Sequence, residues 1–325
     1  MQECMLSVYC MAFNHGPYIR KTLEGFVNQV TEYKYEVIVH DDASTDNTAE
    51  IIREFEEKYP DIIKPIYQKE NQYSQRIDIF DNHIGPRLRG KYIAVCEGDD
   101  YWCDNQKIQL QLDYLESHPE CSLCVHNSIR INADGEDLHN NFNNSEKDLD
   151  YTAKEVIEAD GGGLFHTSAF MYKKEDRLNI PADFTIKGVG DFPMAIYLSV
   201  IGQVHYIGRI MSAYRMDAVG SWTSKQKKNV LSQWRHYTNV VEGLGTMKKY
   251  SIAHLDGKYA DSYDVMIHKY KYRKALLQGN VKEVLKNPNL RPFYDALPGS
   301  EKLKIRVKKM LSKVGAYKYG EFPEA

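Results

Sequence analysis

Glu97, Asp99 and Asp100 put three carboxylates into four residues, interrupted only by Gly98, and follow directly on the apolar run Tyr92-Ile93-Ala94-Val95-Cys96. That run has the length and β-branched content of a buried strand. Acids crowded at a strand end repel one another unless a cation lies between them. Hard carboxylate oxygens suit Mn2+ or Mg2+, which keeps part of its water and takes its remaining ligands from substrate phosphates. Gly98 gives the backbone room to approach such a group. The competing reading is an acidic turn capping the helix expected from Asp104. Asp104 fits that reading, whereas Asp99 and Asp100 read as acids of a metal site.

The elements around this loop alternate. Leu6 to Phe13 reads as a strand, and Ile19, Leu23, Phe26, Val27 and Val30 follow at helical spacing. Tyr35 to His40 is a second strand, followed by a helix with Asp46 as its N-cap and Ile51, Ile52, Phe55 and Tyr59 on its apolar face. Ile62 to Tyr67 is a third strand, Ile77 to Leu88 a weaker helix and Tyr92 to Cys96 a fourth strand. Strand and helix in alternation imply parallel strands joined by crossover helices, with ligands at the carboxyl ends of the strands. The polar clusters fall at those ends: Asn14-His15, Asp41-Asp42, Lys69-Glu70-Asn71 and Asp99-Asp100. Neither a GxGxxG turn after the first strand nor a GxxxxGK[ST] loop is present, which argues against a dinucleotide site and a P-loop.

Beyond the acidic loop, Ile108, Leu112 and Leu115 mark a helix and Cys121 to Ile131 a strand. Asn132 to Asp150, rich in Asn and Asp, reads as a mobile surface loop, and Leu164 to Tyr172, after three glycines, as a strand whose His166, Thr167 and Ser168 face a substrate. Asp191 opens a helix carrying Ala195 and Leu198, Val204 to Tyr214 gives one or two more strands, and Gly220-Ser221-Trp222-Thr223 ends the α/β part. From Lys225 the composition turns helical. The expected division is an α/β domain over 1–223 and a helical appendage over 224–325. In the appendage, Leu303, Val307, Met310, Leu311 and Val314 share one face of a helix over 302–314 otherwise crowded with Lys and Arg. Such a helix suits an anionic bilayer or packs on its own domain with a solvated lysine face. Tyr259, Tyr263, Tyr270 and Tyr272 offer a surface for a homodimer.

With 325 residues, 42% of them hydrophobic, the chain can build a sizeable core, and a net charge of -3 gives no reason to expect nucleic acid as a partner. No apolar run reaches the roughly eighteen residues of a membrane span. The acidic Met1-Gln2-Glu3 does not look like a secretory leader, so the expected location is cytoplasmic, with peripheral contact at the inner face of the membrane through the basic helix. Cys121 and Cys124 have CxxC spacing but sit in strand-like sequence with no second pair, and read as core residues rather than metal or redox groups.

Leu6 to Asn14, then Val37-Ile38-Val39-His40-Asp41-Asp42-Ala43-Ser44-Thr45-Asp46, then Gly90-Lys91-Tyr92-Ile93 leading to Asp99-Asp100-Tyr101-Trp102 resemble the successive signatures of family-two glycosyltransferases with the GT-A fold. The likeness is close over about the first 120 residues, extends less closely to Thr223 and leaves the last hundred without a signature. It implies a Rossmann-like, mainly parallel mixed sheet flanked by helices. It further implies Asp42 as hydrogen-bond acceptor for the uracil ring, Ala12, Phe13, Asn14 and Asn71 around the nucleotide, Asp99 against ribose or sugar, and Asp100 on the metal. Asp191 matches the catalytic base, although Gly190 stands where the family more often has the glutamate of a Glu-Asp pair. Tyr214-Arg215 with Gly220-Ser221-Trp222 resembles a segment that closes over the diphosphate, Arg215 toward phosphate and Trp222 on the acceptor side. The implied activity is metal-dependent, inverting transfer of a sugar from a UDP-sugar to a hydroxyl of a bacterial-type surface glycan or its lipid-linked precursor. The rival readings are a Mg2+-dependent nucleotidyl or phosphoryl transferase and a sugar-nucleotide or glycan-binding module without turnover.

Overall fold

The computed structural model describes residues 3–160, 163–218, 229–313, 319–320 and 322. In chain order its main elements are β1 (Leu6–Ala12), α1 (Ile19–Val27), β2 (Tyr35–Asp41), α2 (Thr48–Lys58), β3 (Ile63–Tyr67), β4 (Tyr92–Val95), β5 (Tyr101–Trp102), α3 (Lys107–Ser117) and β6 (Cys121–Ile131). Then come β7 (Asp137–Asn141), β8 (Leu149–Tyr151), α4 (Ala153–Glu158), β9 (Met171–Lys173), α5 (Lys174–Leu178), α6 (Asp191–Ile201) and β10 (Gln203–Arg215). The C-terminal helices are α7 (Val230–His254), α8 (Ala260–Leu277), α9 (Val281–Lys286), α10 (Arg291–Asp295) and α11 (Gly299–Lys313). The chain packs as two units, 1–180 with 195–219 and 181–194 with 220–325.

The first unit holds one mixed sheet in the order β3-β2-β1-β4-β9-β6-β10-β5, with β7 on β6 and β8 on β10. β3, β2, β1 and β4 run parallel, β9 is antiparallel to both β4 and β6, and β6 and β10 are again parallel. This is the mainly parallel, helix-flanked sheet of the GT-A fold. Leu6, Val8, Cys10 and Ala12 alternate along β1 and are all buried, as one face of a central strand requires. α1 buries Ile19, Leu23 and Phe26, one turn apart. Gly25 lets α1 lie against β5, since a Cβ there would stand 2.6 Å from the Trp102 carbonyl oxygen. Trp102 is buried, edge-on to Phe26 at 4.9 Å, and its indole N–H donates to the Ser168 carbonyl at 3.1 Å.

Several expected elements take another form. Ile77 to Leu88 is not an ordinary helix: Phe80–Ile84 forms a π turn and Gly85–Arg87 a 3-10 turn, where Pro86 has no N–H to continue the ladder. Asn132 to Asp150 is not a plain loop, because it contributes β7 and β8 to the sheet. Side-chain bonds in both directions fasten it to the sheet: Asn127 Nδ2 of β6 donates to the Asn143 carbonyl at 2.9 Å, and the Gly208 N–H donates to Asp148 at 2.8 Å. Within Leu164 to Tyr172 only Met171–Lys173 is strand; Thr167–Ala169 is a 3-10 turn capped by the His166 ring. Asp46 stands one residue outside the helix cap and accepts from the N–H groups of Thr48 (2.9 Å) and Gly16 (2.9 Å). Cys121 and Cys124 are buried in β6.

The second unit is helical apart from its first residues. α7 and α8 bury Val240, Leu244, Met247, Tyr263, Met266 and Tyr270, and Phe184 packs edge-on to Tyr250 at 5.0 Å. A smaller cluster of Tyr272, Val281, Val284, Leu290 and Tyr294 is covered by Ile305 from α11. Tyr263, Tyr270 and Tyr272 are thus interior groups of this unit, not the dimer surface the tyrosine-rich sequence pointed to. Among the described residues no helix is long and apolar enough to cross a membrane.

Candidate active site

β1 ends between β2 and β4, and the loops leaving those two neighbours are fastened to its last residues. The Asp42 N–H donates to the Ala12 carbonyl at 2.9 Å, and the Gly98 N–H to the Met11 carbonyl at 3.0 Å. The Asn14 N–H donates to Ser44 Oγ at 2.9 Å while Asn14 Oδ1 accepts the Thr45 N–H at 2.8 Å, from a left-handed backbone that asparagine tolerates. Gly98 is required by closeness: a Cβ would lie 2.7 Å from His15 Nδ1 and 3.1 Å from Ala12 Cβ. Ala12 is buried, whereas the Phe13 ring just beyond the strand is 44% exposed. His15 Nδ1 and Asp41 Oδ1 are buried here with no hydrogen-bond partner among the described residues. His15 follows β1 and Asp41 ends β2, so two unsatisfied polar atoms lie at neighbouring strand ends, where water or a ligand can complete them.

On the β2 side, the buried Asp42 carboxylate accepts the N–H groups of Gln72 (2.7 Å) and Tyr73 (3.0 Å), and Asn71 Nδ2 donates to the Asp42 carbonyl at 3.0 Å. Asp42 and Asn71 therefore share one corner. Each carboxylate oxygen there keeps a second lone pair. Tyr73 extends this corner with a ring 70% exposed. The sequence carried no signal for it beyond its place two residues after Asn71.

On the β4 side, Asp100 is buried and Asp99 half-buried. Asp100 Oδ1 accepts the Arg215 N–H at 2.8 Å, and Oδ2 faces His166 Nε2 at 3.6 Å. Burial first, then the neighbouring Asp99, pushes the Asp100 carboxyl well above the ordinary range. The Arg215 guanidinium is engaged with backbone: Nε donates to the Asp99 carbonyl at 3.0 Å and Nη1 to the Ala133 carbonyl at 2.9 Å, while the group lies 4.5 Å over the Tyr18 ring. Arg215 thus clasps the acidic loop by its main chain.

His166 Nδ1 accepts the Ser168 N–H at 3.2 Å, so the neutral ring carries its proton on Nε2, aimed at Asp100. Burial, helped by Arg130, lowers this ring to about 3 and keeps it neutral. Behind it runs a serine chain: Ser168 Oγ is 2.8 Å from Nδ1 and 2.8 Å from Ser212 Oγ, itself 2.7 Å from Ser128 Oγ. The structure therefore sets His166 and Ser168 against the acidic loop, with Thr167 in the same turn. No sequence spacing signals that contact.

Among the described residues there is no group of three or more His, Cys, Asp or Glu side chains that would enclose a metal ion. The donor set still fits Mn2+ or Mg2+, which holds to one or two carboxylates and fills its shell with water and phosphate oxygens. Asp100 is the residue that would hold it. Asp191 lies in the second unit, where it opens α6 and accepts the Phe192 N–H at 2.8 Å. Trp222 falls outside the described residues.

The sequence profile of glycosyl transferase family 2 matches residues 7–177. The uncharacterized protein Rv1520 of Mycobacterium tuberculosis is 33% identical over 226 residues, 67% of this chain and 61% of that protein. WfaP of Escherichia coli, named a UDP-Glc:alpha-D-GlcNAc-diphosphoundecaprenol beta-1,3-glucosyltransferase, is 31% identical over 113 residues, 35% of this chain and 42% of that protein. The chain spans about three fifths of the length of these mycobacterial relatives. The crystal structure of Staphylococcus aureus TarS 1-349 in complex with UDP-GlcNAc shares the fold, with a TM-score of 0.60 at 15% identity, over 96% of this chain and 88% of that one.

Proposed function

The chain belongs to glycosyl transferase family 2, and from that premise we propose that it moves a sugar, with inversion, from a UDP-sugar to a hydroxyl of a cell-surface glycan or its lipid-linked precursor. The observation that carries this reading is the attachment of Asp42, and through Gly98 of the loop that carries Asp100, to successive residues at the end of one strand, with the exposed Phe13 ring beside them. Asp42 accepts from the N–H of a pyrimidine, Phe13 packs on the base, and Asn14 and Asn71 form the pocket wall. Asp99 faces ribose or sugar. Asp100 holds Mn2+ or Mg2+, which when bound offsets the charge on the departing diphosphate. Arg215 keeps the acidic loop in place, and Asp191 takes the proton of the acceptor hydroxyl. The names of WfaP and of the TarS complex support a UDP-linked donor, and that of WfaP a diphospholipid acceptor.

The test is release of UDP from a panel of UDP-sugars, with and without Mn2+, by the native chain and by Asp191→Asn. Metal-dependent release that falls about 10²–10⁴-fold in the variant, with UDP affinity unchanged, is expected. Binding without release would leave a binding module, and release of inorganic diphosphate would leave nucleotidyl transfer.

A further inference from the structure

We propose that α11 docks this protein on an anionic lipid bilayer. Leu303 (62% exposed), Val307 (39%) and Met310 (61%) lie at i, i+4 and i+7, so they share a stripe about 60° wide. Ile305, on the opposite side of the helix, is the α11 residue that packs against the cluster of Tyr272, Val284 and Tyr294, beside Leu276, Phe293 and Leu297. The stripe is therefore not the face that attaches the helix to its own unit. One side of the helix packs on its own unit through Ile305, and three large apolar side chains stay exposed on the other.

The charges around the stripe identify its occupant. Residues 302–313 contain six Lys and Arg and no acid, in a chain whose net charge is -3. The nearest acid, Glu301, is paired with Lys304 at 2.6 Å. Arg306 flanks the stripe on one side and Lys304 on the other. A helix exposed only to water gains nothing from a bare apolar stripe, and a second copy of the chain related by a two-fold axis would set these cations against their own kind. An anionic bilayer satisfies both features, taking the apolar side chains below its headgroups and the cations among its phosphates. The inference deepens the reading above by bringing the acceptor to the protein within a membrane, and it rests on that reading only in this respect.

The experiment is co-sedimentation of the full chain, without donor, with vesicles of phosphatidylcholine alone and of phosphatidylcholine mixed with phosphatidylglycerol. Binding to the mixed vesicles and not to the neutral ones is expected. The triple variant Leu303→Ser, Val307→Ser, Met310→Ser should weaken binding roughly tenfold or more, and Arg306→Ser roughly fivefold. All four residues are exposed, so melting temperature and UDP affinity should stay as in the native chain. Failure to bind the mixed vesicles, equal binding to both kinds, or a triple variant that changes oligomeric state instead of vesicle binding would overturn the proposal. A chain that binds vesicles but releases no UDP would count against the transfer reading alone.

Discussion

At the amino end of β1 the buried carboxylate of Glu36 meets the Arg89 side chain through Nε at 2.7 Å, the Arg89 N–H at 2.8 Å and the Ser7 hydroxyl at 2.7 Å. At the carboxyl end Asp100, equally buried, receives one backbone N–H and stands beside a second acid. Burial pushes both groups up. At Glu36 the hydrogen bonds from Arg89 and Ser7 outweigh it and the carboxyl ends below its ordinary value; at Asp100 burial and Asp99 prevail and the carboxyl ends well above. The same sheet thus surrounds one buried acid with donors and leaves the other with one backbone donor beside a second acid, where the charged form is disfavoured unless a cation is supplied. That contrast distinguishes an acid held as an ion by its own donors from one whose ionisation depends on what else is bound beside it.

The contrast is broken most directly at Asp100. Asp100→Asn should lower UDP release about 10²–10³-fold and abolish the response to Mn2+. It should also leave the melting temperature of the metal-free protein equal to or above that of the native chain, because a poorly compensated buried carboxylate has gone. A variant that melts well below the native chain would make Asp100 an anchor like Glu36. The converse substitution, Glu36→Gln, should lower stability by about 1–3 kcal/mol in chemical denaturation and leave UDP affinity unchanged. Its pH dependence has a fixed sign. A carboxyl whose folded value lies below its unfolded 4.5 adds stability above that pH and loses it as the pH falls, and the Gln variant should lack this acid-side loss.

Much of this was legible in the sequence, for identifiable reasons. Strands β1, β2 and β4 are short apolar runs ending in polar clusters, and since ligands collect at such ends, the pattern puts Asn14, Asp42 and Asp100 at one edge. What failed did so where side chains rather than periodicity decide the backbone. The Asn and Asp residues of 132–150 signalled a loop, yet the segment pairs with β6 and β10, and Asn127 of β6 and its own Asp148 fasten it there by bonds to backbone. The His166 ring ended a strand that apolar content favoured, by accepting the Ser168 N–H. The contact of His166 with Asp100 joins residues far apart in the chain, and Tyr73 became notable only through its N–H on Asp42. The tyrosines of α8 read as a surface because spacing cannot tell which face of a long helix is enclosed.

A sharper form of the comparison asks what holds Asp100 ready. With Nδ1 tied to Ser168, the Nε2–H of His166 faces the second oxygen of Asp100 at 3.6 Å, and we propose that it acts as a positioning residue for that oxygen. His166→Ala should weaken Mn2+ binding about tenfold, read by direct Mn2+ titration, without changing UDP affinity in the absence of metal. His166→Gln, which returns an N–H near the same place, should recover part of the loss. If Mn2+ affinity is untouched and the acceptor KM rises instead, His166 belongs to the acceptor side.

The smallest expected effect concerns a second buried ion behind the same loop. Lys107 is fully buried, donates to Gln111 Oε1 at 2.7 Å and lies 4.1 Å over the Trp102 ring. No carboxylate pairs with it in the described hydrogen bonds and ion pairs, and burial lowers it from 10.5 to about 7. Between those values the unfolded chain holds a proton that the folded chain has given up, so this group makes stability rise with pH. The gain between about pH 7 and pH 8 should be about 1 kcal/mol. Lys107→Met keeps the length of the side chain and removes the charge, so its stability should show a flatter slope over that interval, read from urea denaturation midpoints. An unchanged slope would mean that Lys107 stays protonated at the back of the loop. The acidic site would then have a permanent cation beneath Trp102, and the two ends of β1 would differ less than their first contacts imply.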